Sequence, residues 1–244
     1  MKPLTHFLFT MAVMAPVLWL GDWLGLPFFL TAAAGFIALN YLLFAYNSRA
    51  MRVLRPIPER GYDRRREALE RDEHVLFNLG FRKLDEFYLK SVSDVVVYAY
   101  EHRSEPVILC AYHAGVKSFC DFVTKFEGDV SLLTTTAGTA GAVRRPARRL
   151  AQIFKNLDYA QMFEEHRRGV AFLERQGLRA SELPATSFRQ FFVDSVQEFY
   201  DCGRRDRLFL LRFMGGFLTA AGQSYRRPLE QQYPAGLPRE ALAG

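Results

Sequence analysis

Three cysteines, Cys110, Cys120 and Cys202, are too few and odd in number for a disulfide framework, and they fit a reducing compartment. The short patterns that announce a chemistry are missing too. There is no G-x-G-x-x-G fingerprint, and the glycine loop from Gly138 to Gly141 is not followed by Lys-Ser or Lys-Thr, so neither the familiar dinucleotide loop nor a Walker-type phosphate loop is matched. Aromatic and basic residues do not interleave as they do on an RNA-binding sheet, and no helix-turn-helix pattern occurs. Nucleic acid is therefore not an expected partner, despite a formal net charge of +6. Charge itself is scarce at the start of the chain: between Pro3 and Ser48 the one charged side chain is Asp22.

What is present follows from that gap. A bilayer core of about 30 Å needs roughly 20 apolar residues in a helix, and the segments near 4–21 and 24–46 each come close to that or exceed it. The link from Gly21 to Pro27 is short and turn-rich, so residues 1–48 are expected to form a transmembrane hairpin, with Trp19 and Trp23 at one interface and Tyr46 near the other. Lys2 precedes the pair, the link has no Lys or Arg, and a run from Arg49 to Arg66 follows. The positive-inside rule then places both termini in the cytoplasm of a multi-pass inner-membrane protein. A cleaved signal peptide, with Phe7 to Leu20 as its apolar region and Ala32 and Ala34 near its cleavage site, is disfavoured because Asp22 and the turn intervene. Arg49, Arg52 and Arg55 are expected on anionic lipid headgroups, each contributing on the order of 1 kcal/mol. Gly25, Ala32, Ala33, Ala34 and Gly35 offer a small-residue face for a membrane-protein partner or a second copy.

Downstream, the pattern predicts an α+β domain over 64–227, joined by a basic linker over 49–63 and followed by a flexible tail over 228–244. A charged helix is expected from Arg64 to Leu79, with Leu69, Leu76 and Leu79 as its apolar stripe and Gly80 as its stop. Five apolar runs, Phe87–Leu89, Val95–Tyr100, Val107–His113, Val116–Phe126 and Val130–Thr136, then predict an antiparallel meander of four or five strands. Even positions of the fourth run carry Val116, Cys120, Phe122 and Phe126 and odd ones include Lys117, Asp121 and Lys125, so one face is expected buried and the other wet or only partly covered. A three-residue turn at Glu127–Asp129 sets Phe122 opposite Thr134. A two-residue turn at Ala114–Gly115 sets Cys120 opposite Leu109. Asp158 with Gln161 reads as the capping box of a helix ended by Gly177, and a second helix opens at Ser187, with an interruption expected at Cys202–Gly203. Leu208 to Gly222 is apolar but short and carries Arg212, and it reads as a helix end followed by an extended piece.

Each candidate for chemistry has an ordinary explanation beside it. Cys110, His113 and Cys120 lie within eleven residues, yet strand alternation points Cys110 and His113 to opposite sides, and no metal or cofactor is expected. His166 and His113 are the acid–base candidates, although His166 sits in an apolar helix stripe. Asp94, Glu101, Asp121, Glu127 and Asp129 are accounted for by turn and edge positions. The loop carrying Gly138 and Gly141, followed by Arg144 and Arg145, could turn backbone N–H groups and guanidinium forks toward a phosphate. The competing view has the arginine cluster, Arg148 and Arg149 included, facing lipid.

Leu79-Gly80-Phe81 ahead of a meander, Glu165-His166 opening a run to Leu173 and Gly177, Arg204-Arg205-Asp206, and Tyr225-Arg226-Arg227-Pro228 are short motifs spread over Leu79 to Pro228. In these the chain resembles a group of uncharacterised bacterial membrane-anchored proteins. The resemblance implies a bacterial inner-membrane setting and carries over no activity or catalytic residue. The favoured expectation is a non-catalytic binding or scaffolding module held on the bilayer. An enzyme acting on a lipid or phosphorylated substrate at the membrane surface is the first alternative, and an accessory subunit of a larger membrane complex the second.

Overall fold

A computed structural model describes residues 3–90, 94–114, 117–137, 145–205 and 225–242. The fold is mixed α+β, built on one large sheet that is antiparallel but for a single pairing. Two apolar helices come first, α1 (Pro3–Trp23) and α2 (Phe28–Ala50). They pack closely: a Cβ on Gly21 would collide with the Thr31 side chain, and one on Gly35 would lie 2.9 Å from Met14 Sδ. Small residues let the helices approach, as in membrane helix pairs. Gly35 is thereby used inside the pair, while Ala33 and Ala34 face outward. By length and composition α2 is able to cross a membrane, and it is the one such helix among the described residues, where the sequence reading expects two. Trp19 and Trp23 are 70% and 72% exposed at the closed end, and Tyr46 is exposed toward the other.

The sheet runs β1 (Leu54–Arg55), β2 (Phe81–Leu89), β3 (Val95–His102), β4 (Ile108–Ala114), β5 (Lys117–Phe126), β6 (Val130–Thr135), β7 (Arg149–Ile153), in sequence order across the sheet. The short β8 (Ala180–Ser181) pairs with the end of β5 beyond the reach of β4. The expected meander is β2 to β6, and Phe122 opposes Thr134 as the turn length requires. The β4–β5 register differs by two residues from expectation, with Cys120 opposite Ala111 and Ala114 opposite Lys117. The reason is aromatic: this register sets Tyr112 against Phe119, their rings stacked at 4.5 Å, where the other would set Tyr112 against Lys117.

Three elements depart from the sequence pattern. Charges hide the first half of β2, and those charges are paired: Lys83 with Glu86, Arg82 with Glu101, Asp85 with Arg189. The helix expected from Arg64 to Leu79 is two, α3 (Asp63–Glu70) and α4 (Glu73–Asn78). Each is tied to β3, by Tyr98 Oη on Glu70 Oε1 at 3.2 Å and Tyr100 Oη on Glu73 Oε1 at 2.9 Å. β7 lies where an arginine-rich exit was expected, because Leu150, Ala151 and Ile153 are buried between the sheet's layers.

Helices cover both faces. On one side α3, α4 and α5 (Tyr159–Arg175) bury Phe81, Leu109 and Phe122 with Leu69, Leu76 and Met162. The expected capping box of α5 is present, Asp158 Oδ1 accepting from Gln161 N at 2.8 Å. On the other side α6 (Phe188–Arg205) lays Phe188 and Phe192 on Phe87, Val97 and Cys110. α6 continues through Cys202–Gly203 without the expected interruption, its last turn held to α2 by Arg204 Nη2 donating to Ser48 Oγ at 2.7 Å. The tail expected to be flexible carries α7 (Leu229–Gln232) and α8 (Arg239–Leu242), and Leu229, Leu237 and Ala241 are buried beside Phe172 and Leu173 of α5. The three prolines there, Pro228, Pro234 and Pro238, stop long helices but do not prevent apolar side chains from docking. The Leu208–Gly222 segment lies outside the described residues.

Candidate functional site

The sequence candidates do not converge. Gly138, Gly141 and Arg144 lie outside the described residues. His113 sits at the β4–β5 hairpin end with Nδ1 2.9 Å from Ser118 Oγ. His166 is fully buried between α5 and the opposite face of the sheet, Nε2 2.9 Å from Thr124 Oγ1 and Nδ1 2.8 Å from Thr134 Oγ1. Burial pushes its imidazole down to about 3, so it stays neutral near pH 7 and is poorly matched to acid–base work there. Cys110 and Cys120 lie on opposite faces. Among the described residues no group of three His, Cys, Asp or Glu side chains is arranged to hold a metal. Of the juxtamembrane arginines, Arg49 and Arg55 are exposed, while Arg52 turns half-buried toward Asp201 of α6, 4.0 Å away.

Arg145 has a different setting. It borders a cavity of about 740 Å³ between the sheet and α6. The floor consists of alternate residues of three strands: Cys110 and Tyr112 of β4, Phe119, Asp121 and Val123 of β5, Leu133 and Thr135 of β6. Phe188, Phe192 and Phe199 of α6 form the roof. Why a void remains follows from where α6 is held. At its first turns Phe192 meets Phe87 edge-on at 4.8 Å. Farther along, Arg149 of β7 reaches across to Glu198 Oε2 at 2.7 Å while also binding the Asp129 carboxylate. Val123, Ser131 and Thr135 beneath are short, and they leave space under a helix pinned at both places. At one margin lie Met51 and Tyr200, whose hydroxyl is 3.0 Å from Met51 Sδ, immediately after the end of α2.

Part of this cavity's lining is polar. Across three strands Cys110, Asp121 and Thr135 stand opposite one another. Burial pushes the Asp121 carboxyl up, against the lowering pull of hydrogen bonds from Thr135 and Tyr112 and of the Arg145 charge. Burial likewise pulls the Arg145 guanidinium down, opposed first by Asp121. The Cys110 thiol and Tyr112 phenol are pushed up by burial, which keeps both neutral. Asp121 Oδ1 and Arg145 Nε are shut off from solvent, and neither has a hydrogen-bond partner among the described residues.

Sequence reasoning placed Asp121 on a face that is wet or only partly covered and gave it a turn or edge role, not a place in a site. The available signal was its position between Phe119 and Val123, two apolar residues that share its face in mid-strand. Arg145, a candidate for phosphate or for lipid, and Arg149 both line the cavity, Arg149 because β7 carries it to the sheet's edge under α6. No protein-family model, no curated protein and no solved structure matches the chain.

Proposed function

We propose that this protein is a non-catalytic, membrane-anchored binding module that takes an apolar molecule from the bilayer into the cavity between the sheet and α6. The observation that carries the reading is the cavity itself. Its volume of about 740 Å³ falls inside the roughly 300–1,000 Å³ typical of small-molecule sites, its walls are mostly aromatic and aliphatic, and Met51 and Tyr200 set its margin beside the end of α2. His166 is bound to Thr124 and Thr134, and neither it nor His113 lines the cavity, which supports binding over catalysis. In this proposal both α1 and α2 span the bacterial inner membrane, both termini are cytoplasmic, and the arginines after α2 rest on the inner leaflet. The outward Ala33 and Ala34 suit a second copy or a membrane-protein partner.

Both native tryptophans, Trp19 and Trp23, lie at the tip of the helix pair, so the cavity can be given its own reporter. In full-length protein carrying Trp19→Phe, Trp23→Phe and Phe199→Trp, reconstituted in phosphatidylcholine nanodiscs, bromine-tagged hexadecane is expected to quench the new indole saturably. Quenching that rises only linearly with ligand, as for random collision, would remove the cavity as a binding site. Orientation is tested separately in cells: a membrane-impermeant maleimide that labels Cys202 without permeabilisation would refute the cytoplasmic placement.

A further inference from the structure

We infer that Asp121 and Arg145 grip the head of a single-chain amphiphile whose head group is uncharged and both donates and accepts hydrogen bonds, a hydroxyl being the simplest case. The inference rests on the cavity reading above and adds the chemistry of the head. Asp121 Oδ1 and Arg145 Nε border one cavity, are closed to solvent, and lack partners among the described residues. An ionised carboxylate oxygen accepts and a guanidinium Nε–H donates. Their complement must give a proton to one and take a proton from the other, and a hydroxyl does both.

Charge narrows the choice further. The cavity's other ionic groups are engaged: Arg149 with Asp129 and Glu198, Asp194 with Gln190 Nε2 at 2.7 Å, and Lys125 over the Phe191 ring at 5.1 Å. Burial disfavours the charge on both Asp121 and Arg145, and each supports the other's against it. A phosphate head would set a second negative charge beside a buried carboxyl, and an ammonium head would face Arg145. A bare hydrocarbon would leave both polar atoms unsatisfied, which costs free energy in a dry site. An alkyl chain with a hydroxyl end meets all three conditions, its tail lying along Leu133, Phe192 and Phe199.

The same reporter protein separates the head-group inference from the reading it depends on. Bromine-tagged hexadecane, hexadecanol and hexadecyl phosphate are titrated in turn, with quenching as the readout. The alcohol is expected to bind about tenfold more tightly than the alkane, as two modest hydrogen bonds would give, and the phosphate more weakly than the alcohol. Asp121→Leu with Arg145→Leu should erase the alcohol's advantage while alkane quenching stays saturable. Equal binding of alcohol and alkane by the unsubstituted site, or tightest binding of the phosphate, overturns the head-group inference and leaves the cavity reading standing. Failure of all three ligands to quench saturably overturns both.

Discussion

His166 makes the fold sensitive to acid in a way that can be isolated. Both ring nitrogens are taken up by Thr124 and Thr134, and Gln152 Nε2 also donates to Thr134 Oγ1 at 2.9 Å. A neutral imidazole suits this arrangement, since one nitrogen donates and the other accepts. A second proton would force a hydroxyl donor to turn away inside a closed site. Burial lowers the folded-state value from 6.5 to about 3, so below pH 6.5 the unfolded chain takes up a proton that the folded one refuses. Stability from this residue is complete above pH 6.5 and falls away as the pH drops toward 3. At pH 4.5, two units below the unfolded value, the loss is about 2.7 kcal/mol at about 1.4 kcal/mol per unit. For a chain of this size that is worth roughly 5–11 °C in melting temperature. His166→Gln retains a donor and an acceptor but does not titrate. Thermal melts of both proteins in the same detergent, followed by circular dichroism at pH 7.5 and 4.5, should show the variant losing less on acidification by about that margin. Equal losses would refute the argument.

Three other outcomes follow from the packing. Phe122→Ala empties the space where rings from β2, β5 and α5 meet, and a loss of about 3–5 kcal/mol is expected in denaturant titrations. Cys202, half-buried on α6, should react with a small maleimide in the folded protein well before Cys110 and Cys120, which are buried and whose thiols are pushed upward, the latter to about 12; labelling of all three at one rate would contradict this. Arg149→Met cuts the tie between Asp129 and Glu198 and should destabilise the fold by about 1–2 kcal/mol, with Glu198→Gln adding little in the double variant when compared by thermal melts.

Local patterns were legible where one segment settles its own structure. The apolar helix ends, the capping box at Asp158 and the alternation in β5 depend on neighbours a few residues away, and so does the three-residue turn that pairs Phe122 with Thr134. Patterns failed where distant partners supply the stabilisation. β2 begins at Phe81 although its first residues are charged, because Glu101 and Arg189 lie opposite them in space. Gly203 remains helical because Arg204 is bound by Ser48, more than 150 residues earlier in the chain. Leu229 and Leu237 dock on α5 although their own neighbourhood is rich in proline.

The candidate site divides the same way. By itself the sequence determined that a charge-poor pair of helices precedes an α+β domain, and that β5 would show one apolar face, since both are periodicities of the chain. Only the tertiary structure decided what lies over the second face. There α6 is anchored at Phe87 and at Arg149, which leaves a cavity that Asp121 and Arg145 both line. Those two side chains are 24 residues apart, Asp121 on β5 and Arg145 just ahead of β7, and no local rule brings them to one cavity. Their sharing of one cavity depends on the parallel pairing of β7 with β6, which brings the chain just after Arg145 back to the sheet.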